Sequence, residues 1–391
     1  MIGGSVAPGF EEVRREFELN FSRRRELGAA CAAYAGGEKV VDLWGGVRDA
    51  RDGSPWREDT IVLVYSTSKG LSAMTMALLH SRGQLDYDER VTSYWPEFGQ
   101  AGKEDVTVRQ LLAHEAGLPV IDEKLEPASL EDFDGLATAV ARQRPLWRPG
   151  TRHGYHGVSL GWYEGELVRR IDGRTLGRFF AEEVARPLDL DIHIGAPDDL
   201  SSETIARIKR INPLAIPPQM RHMPPKMARA MFNPRSVSFR AFANPRLRTP
   251  AHLDQSEYRR LEFPAGGALG SARDIARAYT AFTGARNDVL GLSSETLDQI
   301  TAFPSPPVLG WHDEVLKVET AFSLGFARPL GPFQFGSSER AFGHPGAGGS
   351  FAFADPDRDV TFAYVMNRMG FHIHDDPREK SLRDALYRCL G

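Results

Sequence analysis

Strand-forming segments sit at both ends of this 391-residue chain, and helix-forming segments fill its middle. Residues 28–34 and 39–46 read as strands joined by the turn Ala35-Gly36-Gly37-Glu38, an antiparallel hairpin rather than a βαβ unit. A short apolar run at 60–64 reads as another strand. Further strand patterns fall at about 319–327, 332–336, 349–354 and 359–366. Helical periodicity covers 10–25, with Phe10, Val13, Phe17 and Leu19 on or near one face, and returns at 376–389. Between these ends, helices are expected at 106–114, 130–143, 158–186, 272–283 and 293–302, with a sharp turn at Arg148-Pro149-Gly150. This pattern predicts an α+β fold: an antiparallel sheet formed by N- and C-terminal strands, flanked by helices, with an inserted mostly helical lobe. The expected division is 1–70 with 255–391 for the sheet domain and 71–254 for the lobe.

The tetrad Ser66-Thr67-Ser68-Lys69 carries the first chemical signal. It follows the apolar run and precedes Leu71, Met74, Leu78 and Leu79 at helical spacing, so Ser66 is expected at the first turn of a buried helix. Residues i and i+3 share a helix face, which brings the Lys69 amine to the Ser66 hydroxyl. The Ser66 N–H has no helical partner and is free to donate to an oxyanion. Burial and the positive end of the helix dipole both disfavour a charged Lys69, and a neutral lysine is a base.

Two other segments supply partners. Tyr155 follows the Pro149-Gly150 turn and precedes the helix expected from 158. A phenol next to an ammonium has a lowered pKa, so Tyr155 is expected to act as acid and base. The stretch Phe342-Gly343-His344-Pro345-Gly346-Ala347-Gly348-Gly349-Ser350 is dense in glycine and stands before a strand, where backbone approaches a ligand closely. The Ala347 N–H would pair with that of Ser66 as an oxyanion hole. Gly346 and His344 are candidates for holding the substrate, and His344 also for the Tyr155/Lys69 network.

Ser66 to Lys69, then Tyr155, then His344-Pro345-Gly346 resemble the S-x-x-K, Y-x-N and K-T-G or H-x-G motifs of the serine β-lactamase and penicillin-binding superfamily. Residues 111–118 and 264–274 agree with it. The chain is most similar to family VIII carboxylesterases of the EstB type, which share the class C β-lactamase fold. The resemblance implies a β-lactamase/transpeptidase-like fold, with Ser66 as acylated nucleophile, Lys69 and Tyr155 as proton-transfer pair, and the N–H groups of Ser66 and Ala347 as oxyanion donors. Gly157 stands where Y-x-N has its Asn, and His344 where K-T-G has its Lys. Those departures tilt the expected activity from β-lactams to simple esters. A β-lactamase, a D-amino-acid peptidase or amidase, or an acyltransferase on the same site is the alternative.

A second serine motif competes. Gly157-Val158-Ser159-Leu160-Gly161 matches the G-x-S-x-G elbow of α/β-hydrolases, but a turn rather than a buried strand precedes it. Ser159 is therefore read as a small residue in helix packing.

Composition bounds the rest. A net charge of −4 argues against a general nucleic-acid binder. No apolar run reaches the length of a membrane span, and residues 1–9 lack the basic and apolar regions of a secretory signal. Cys31 and Cys389 give no metal-ligand spacing and fit buried free thiols in a cytoplasmic protein. No cofactor or metal is expected, the partner is a small-molecule ester, and the chain is expected to be a monomer or homodimer. One stretch stands apart: residues 204–253 hold ten of the 48 Lys/Arg and none of the 52 Asp/Glu, with eight Pro and Met220, Met223, Met227 and Met231. It is expected to form an irregular flap docked on an acidic body, with flexible thioethers available to line an apolar pocket.

Overall fold

The computed structural model describes residues 2–209, 216–245, 250–283 and 287–391. Arg210, Pro213, Arg246 and Arg248 of the basic stretch lie outside the described residues.

In chain order the strands are β1 (Ile2–Val6), β2 (Gly28–Ala35), β3 (Glu38–Asp49), β4 (Ser54–Pro55), β5 (Ile61–Leu63), β6 (Ile192–Ile194), β7 (Ile205–Ala206), β8 (Ala268–Gly270), β9 (Ala321–Ser323), β10 (Phe326–Arg328), β11 (Phe342–Pro345), β12 (Phe351–Asp355) and β13 (Val360–Met366). Nine of them form one antiparallel sheet ordered β1-β3-β2-β13-β12-β11-β10-β9, with β4 paired to β3. The N-terminal hairpin meets the C-terminal strands at β2–β13, where Val360 to Met366 pair with Ala35 to Ala29. The chain termini therefore close the sheet, as the distribution of strand patterns predicts. The central strands alternate strictly. Cys31, Phe351, Phe353, Phe362 and Tyr364 face the terminal helices α1 (Glu11–Ser22) and α5 (Pro377–Leu390). Ala32, Ala352, Ala354 and Ala363 face the other core. Small residues on that side let two helices lie close to the sheet: α2 (Ser68–Ser81) and α4 (Ala272–Thr280). A second, four-stranded sheet, β6-β8-β5-β7, joins strands from both halves of the chain and ends where the Ser66 segment begins.

Several elements differ from expectation. The pattern at 319–327 is two strands, because Leu324 (φ 51°) and Gly325 (φ 88°) form a tight turn with both central residues left-handed. No strand forms at 332–336. Phe333 and Phe335 pack on Phe351 instead, and β11 takes the place beside β12. The helix expected over 158–186 ends as α3 (Leu160–Asp172) at Gly173 (φ 88°), and the chain restarts at Leu176 behind a Thr175 cap. The N-terminal edge strand β1 was hidden by its glycines: a Cβ on Gly3 would strike the Trp44 ring at 2.6 Å.

The basic stretch does not simply dock on acid. Arg240 pairs with Asp122 and Arg207 with Asp254, but Lys209 and Arg221 face other cations. Met227 is buried, and Met220, Met223 and Met231 are half-buried.

A buried ion network fastens α5 to the sheet. Arg378 donates to both Asp376 oxygens (2.8 and 2.9 Å), to Glu26 (2.9 Å) and to the carbonyls of Arg368 and Gly348 (2.7 Å each). Removing the guanidinium leaves two buried carboxylates without their cation, so Arg378→Ala is expected to cost about 3–5 kcal/mol. A fall in the urea midpoint with an unchanged m-value checks this.

Candidate active site

Ser66 sits on a 3₁₀ turn, Tyr65–Thr67, two residues before the start of α2 rather than inside it. Tyr65 adopts φ 49°, which turns the chain sharply out of β5. Ser66 is partly exposed while every residue from Thr67 to Leu79 is buried. The hydroxyl thus projects from a rigid base.

Lys69, fully buried, lies one turn further on. Its Nζ donates to the carbonyls of Gly157 and Ala265 at 2.8 Å each and lies 3.4 Å from Ser66 Oγ. Burial lowers its pKa to about 7, against an opposing pull from Glu164. Glu164 is itself fully buried on α3 with neither carboxyl oxygen hydrogen-bonded, and burial raises it to about 8. The amine therefore has neutral company, and near neutral pH it is itself substantially uncharged.

Tyr155 reaches the same point. Lys69 Nζ lies 4.7 Å from the centre of its ring, and the Ser66 side chain is close enough to pull the phenol's pKa down against burial. The expected lowering of its pKa does not occur: burial pushes the phenol well above its ordinary value. Burial outweighs the pull of the Ser66 side chain, and the Asp313 and Glu164 carboxyls add to it. The Tyr155 backbone N–H donates to the buried Asp313 carboxylate (3.1 and 3.2 Å), which also takes the N–H groups of Val315 and Leu316. Asp313 was not read from the sequence. Nothing in the local pattern around it marks a loop carboxylate that caps three amides.

The glycine rim is stapled to the Ser66 turn. Ser350 Oγ donates to the Val64 carbonyl at 2.8 Å and lies 3.1 Å from Thr67 Oγ1. A Cβ on Gly346 would meet Ser350 Oγ at 2.2 Å and the Val64 carbonyl at 2.4 Å, so only glycine fits there. The Gly346 N–H is spent on the Ser350 carbonyl at 2.7 Å. Ala347 is exposed, and among the described residues neither its N–H nor that of Ser66 has a protein acceptor. His344 is buried, stacked on Tyr155 at 5.8 Å, and held to about 3 by burial and by Lys69. Its Nδ1–H donates to the Pro345 carbonyl at 2.7 Å, and its Nε2 has no partner among the described residues.

The idle elbow motif is explained by packing. Ser159 is buried and donates to the Leu118 carbonyl at 2.7 Å. A Cβ on Gly157 would strike the Phe242 ring at 2.4 Å, and one on Gly161 the Ala265 N at 2.4 Å. Phe242 comes from the basic flap and stacks near Tyr155 (6.2 Å), so the flap occupies the space that a side chain at 157 would need. Among the described residues no group of His, Cys, Asp or Glu is arranged to hold a metal.

Comparison with known proteins places the chain in a family. The family model "Beta-lactamase" matches residues 13–386. The solved structure of a family VIII carboxylesterase superposes with a TM-score of 0.85 at 37% identity, covering 100% of both chains. A penicillin-binding protein homologue from Caulobacter crescentus gives 0.84 at 36% identity, again over 100% of both chains. The esterase/beta-lactamase LipL of Mycobacterium tuberculosis is 31% identical over 94% of this chain and 83% of its own. With the match spanning nearly the whole chain, this protein belongs to the beta-lactamase family.

Proposed function

We propose that the protein is a serine hydrolase that cleaves carboxylic esters through an acyl-enzyme on Ser66. The observation that carries this reading is the Lys69 amine, buried and held by two backbone carbonyls with no anionic partner. A neutral amine has two hydrogens and one lone pair. The carbonyls of Gly157 and Ala265 take the hydrogens, which leaves the lone pair for the Ser66 hydroxyl 3.4 Å away.

The steps follow from that arrangement. Lys69 takes the Ser66 proton as Oγ attacks the ester carbonyl, and the N–H groups of Ser66 and Ala347 receive the oxyanion. Tyr155, still protonated, gives its proton to the departing alkoxide. The ammonium formed on Lys69 in the attack then returns a proton to the phenolate, so a full cation faces Tyr155 from the attack until that return. Water repeats the sequence in reverse and releases the acid. His344 is neutral and Gly157 has no side chain, so the positions that hold Lys and Asn in Y-x-N and K-T-G proteins offer no cation and no amide. That supports simple esters over β-lactams. The name of the family VIII carboxylesterase points the same way, while that of LipL carries both activities. No helix of the described residues is long and apolar enough to cross a membrane, and two free cysteines, Cys31 buried and Cys389 half-buried, support a cytoplasmic setting.

Three measurements test this. Ser66→Ala is expected to remove p-nitrophenyl butyrate hydrolysis by at least about 10³-fold, while Ser159→Ala keeps most of it; the reverse result would sink the assignment. kcat/KM should rise as pH increases through about 7, because Lys69 is a base only after losing its proton. A profile flat from pH 5 to 9 would place the base elsewhere. Finally, p-nitrophenyl butyrate should be turned over faster than a chromogenic cephalosporin, and the opposite order would make the protein a β-lactamase.

A further inference from the structure

The cations of the basic stretch have a place in the fold. Lys209 and Arg221 face Arg24, Arg25, Arg368 and Arg378 across a cleft of about 640 Å³, with Asp376 the one carboxylate in its lining. Arg24 is paired with Glu16 at 2.6 Å, and Arg378 is clamped by Glu26 and Asp376. The other four have no carboxylate partner among the described residues. Arg368 spends an N–H on the Arg25 carbonyl, and Arg221 lies 3.3 Å from His222 Nε2. Four unpaired like charges on a concave wall repel one another and focus a positive field into the space between them. Arg368 registers this: burial, then Arg25 and Arg378, hold its guanidinium below the usual arginine range. Guanidinium forks match carboxylate and phosphate oxygens in pairs.

The cleft backs onto the glycine rim. Met369 and Gly370 line it. On their other side, the Gly370 N–H donates to the Gly348 carbonyl at 2.8 Å, and Met369 Sδ accepts from the Tyr65 hydroxyl at 3.4 Å. Tyr65 immediately precedes Ser66. Met369 and Gly370 thus join the lining of the cleft to the rim and to the residue before Ser66.

We propose that this cleft is an anion-accepting subsite, and that the ester delivered to Ser66 carries a carboxylate or phosphate at the far end of its acyl arm. The proposal rests on the ester-hydrolase reading above.

The test compares p-nitrophenyl butyrate with mono-p-nitrophenyl esters of dicarboxylic acids of increasing length, in the full chain and in a Lys209→Gln/Arg221→Gln variant. Both positions are exposed. At one acyl length the variant should lower the ratio of anionic to neutral kcat/KM by about fivefold, mainly through KM, and the loss should shrink at high salt. A ratio unchanged at every length overturns the proposal, and a general folding defect would depress both rates without moving the ratio. Calorimetric titration of Ser66→Ala protein with inorganic phosphate and with glutarate reads the cleft without turnover. Saturable binding weakened by the double substitution supports the site and says which anion it takes; no saturable binding of either overturns it. Anion binding without hydrolysis of any ester would discard the hydrolase reading and keep the cleft, whereas hydrolysis of the neutral ester without anion binding would do the opposite.

Discussion

An amine kept free of water and free of any countercharge is the constraint on which the rest of this structure depends. Lowering Lys69 from 10.5 to about 7 costs about 5 kcal/mol, a large part of the net stability of a typical domain. A carboxylate beside it would remove that cost and, with it, the unprotonated amine at neutral pH. The structure avoids this by burying Glu164 so deeply that it too favours its uncharged form. The sign has a consequence for folding. Between about pH 7 and 10.5 the unfolded chain binds a proton on Lys69 that the folded chain does not. This group's penalty on stability is therefore full below pH 7 and fades as pH rises through that window.

Holding such an amine requires walls from distant parts of the chain, and glycine is what lets them meet. Gly157 makes room for Phe242 of the flap, Gly161 for the backbone at Ala265, and Gly346 for the Val64 carbonyl and Ser350. Ala265 and Gly157 are also the residues whose carbonyls bind Lys69. Close packing and amine binding are thus one feature: a side chain at 161 would push away the Ala265 segment, and one at 157 would shift Gly157 itself off Phe242, each moving a carbonyl that binds Lys69. This explains how the chain carries a G-x-S-x-G string with no elbow behind it. The glycines answer to helix packing, and Ser159 answers to the Leu118 carbonyl.

Much of this was legible in the residues. The alternation in 28–34 and 359–366 identifies strands whose two faces meet different cores, and both strands lie within two residues of the expected bounds. The S-x-x-K spacing brings amine to hydroxyl because i and i+3 share a face in a 3₁₀ turn as in an α-helix. What could not be read depends on tertiary contact. Asp313 has no local signature, since its amides come from Tyr155 and from its own following turn. The charge state of Tyr155 was misjudged because proximity to a lysine was taken to mean proximity to a cation. Burial of the lysine reverses that inference. The aromatic run at 332–336 resembles a strand in composition, yet its rings are used to cover β12.

The loops that carry Tyr155 are also fixed by a pair of histidines, and their tautomers follow from hydrogen bonds. The Leu118 N–H donates to His156 Nε2 at 2.9 Å, so that nitrogen is an acceptor and the proton of a neutral His156 resides on Nδ1. His156 Nδ1–H faces His114 Nδ1 at 2.9 Å, and His114 Nδ1 also accepts the His156 backbone N–H at 3.1 Å. His114 is left with its proton on Nε2, which has no polar partner among the described residues, and its ring meets Phe322 edge-on at 4.5 Å. Burial holds both imidazoles neutral, as protonating either would place two N–H groups or a charge against the other ring. Leu118 thus anchors His156 through its N–H and Ser159 through its carbonyl, on either side of Gly157. The Gly157 carbonyl that receives one Lys69 hydrogen is thus flanked by uncharged anchors, and the Asp313 carboxylate enters only two residues earlier, on the Tyr155 N–H. Where the loop touches the amine, its supports follow the amine's own rule: hydrogen bonds in abundance and no ion pair.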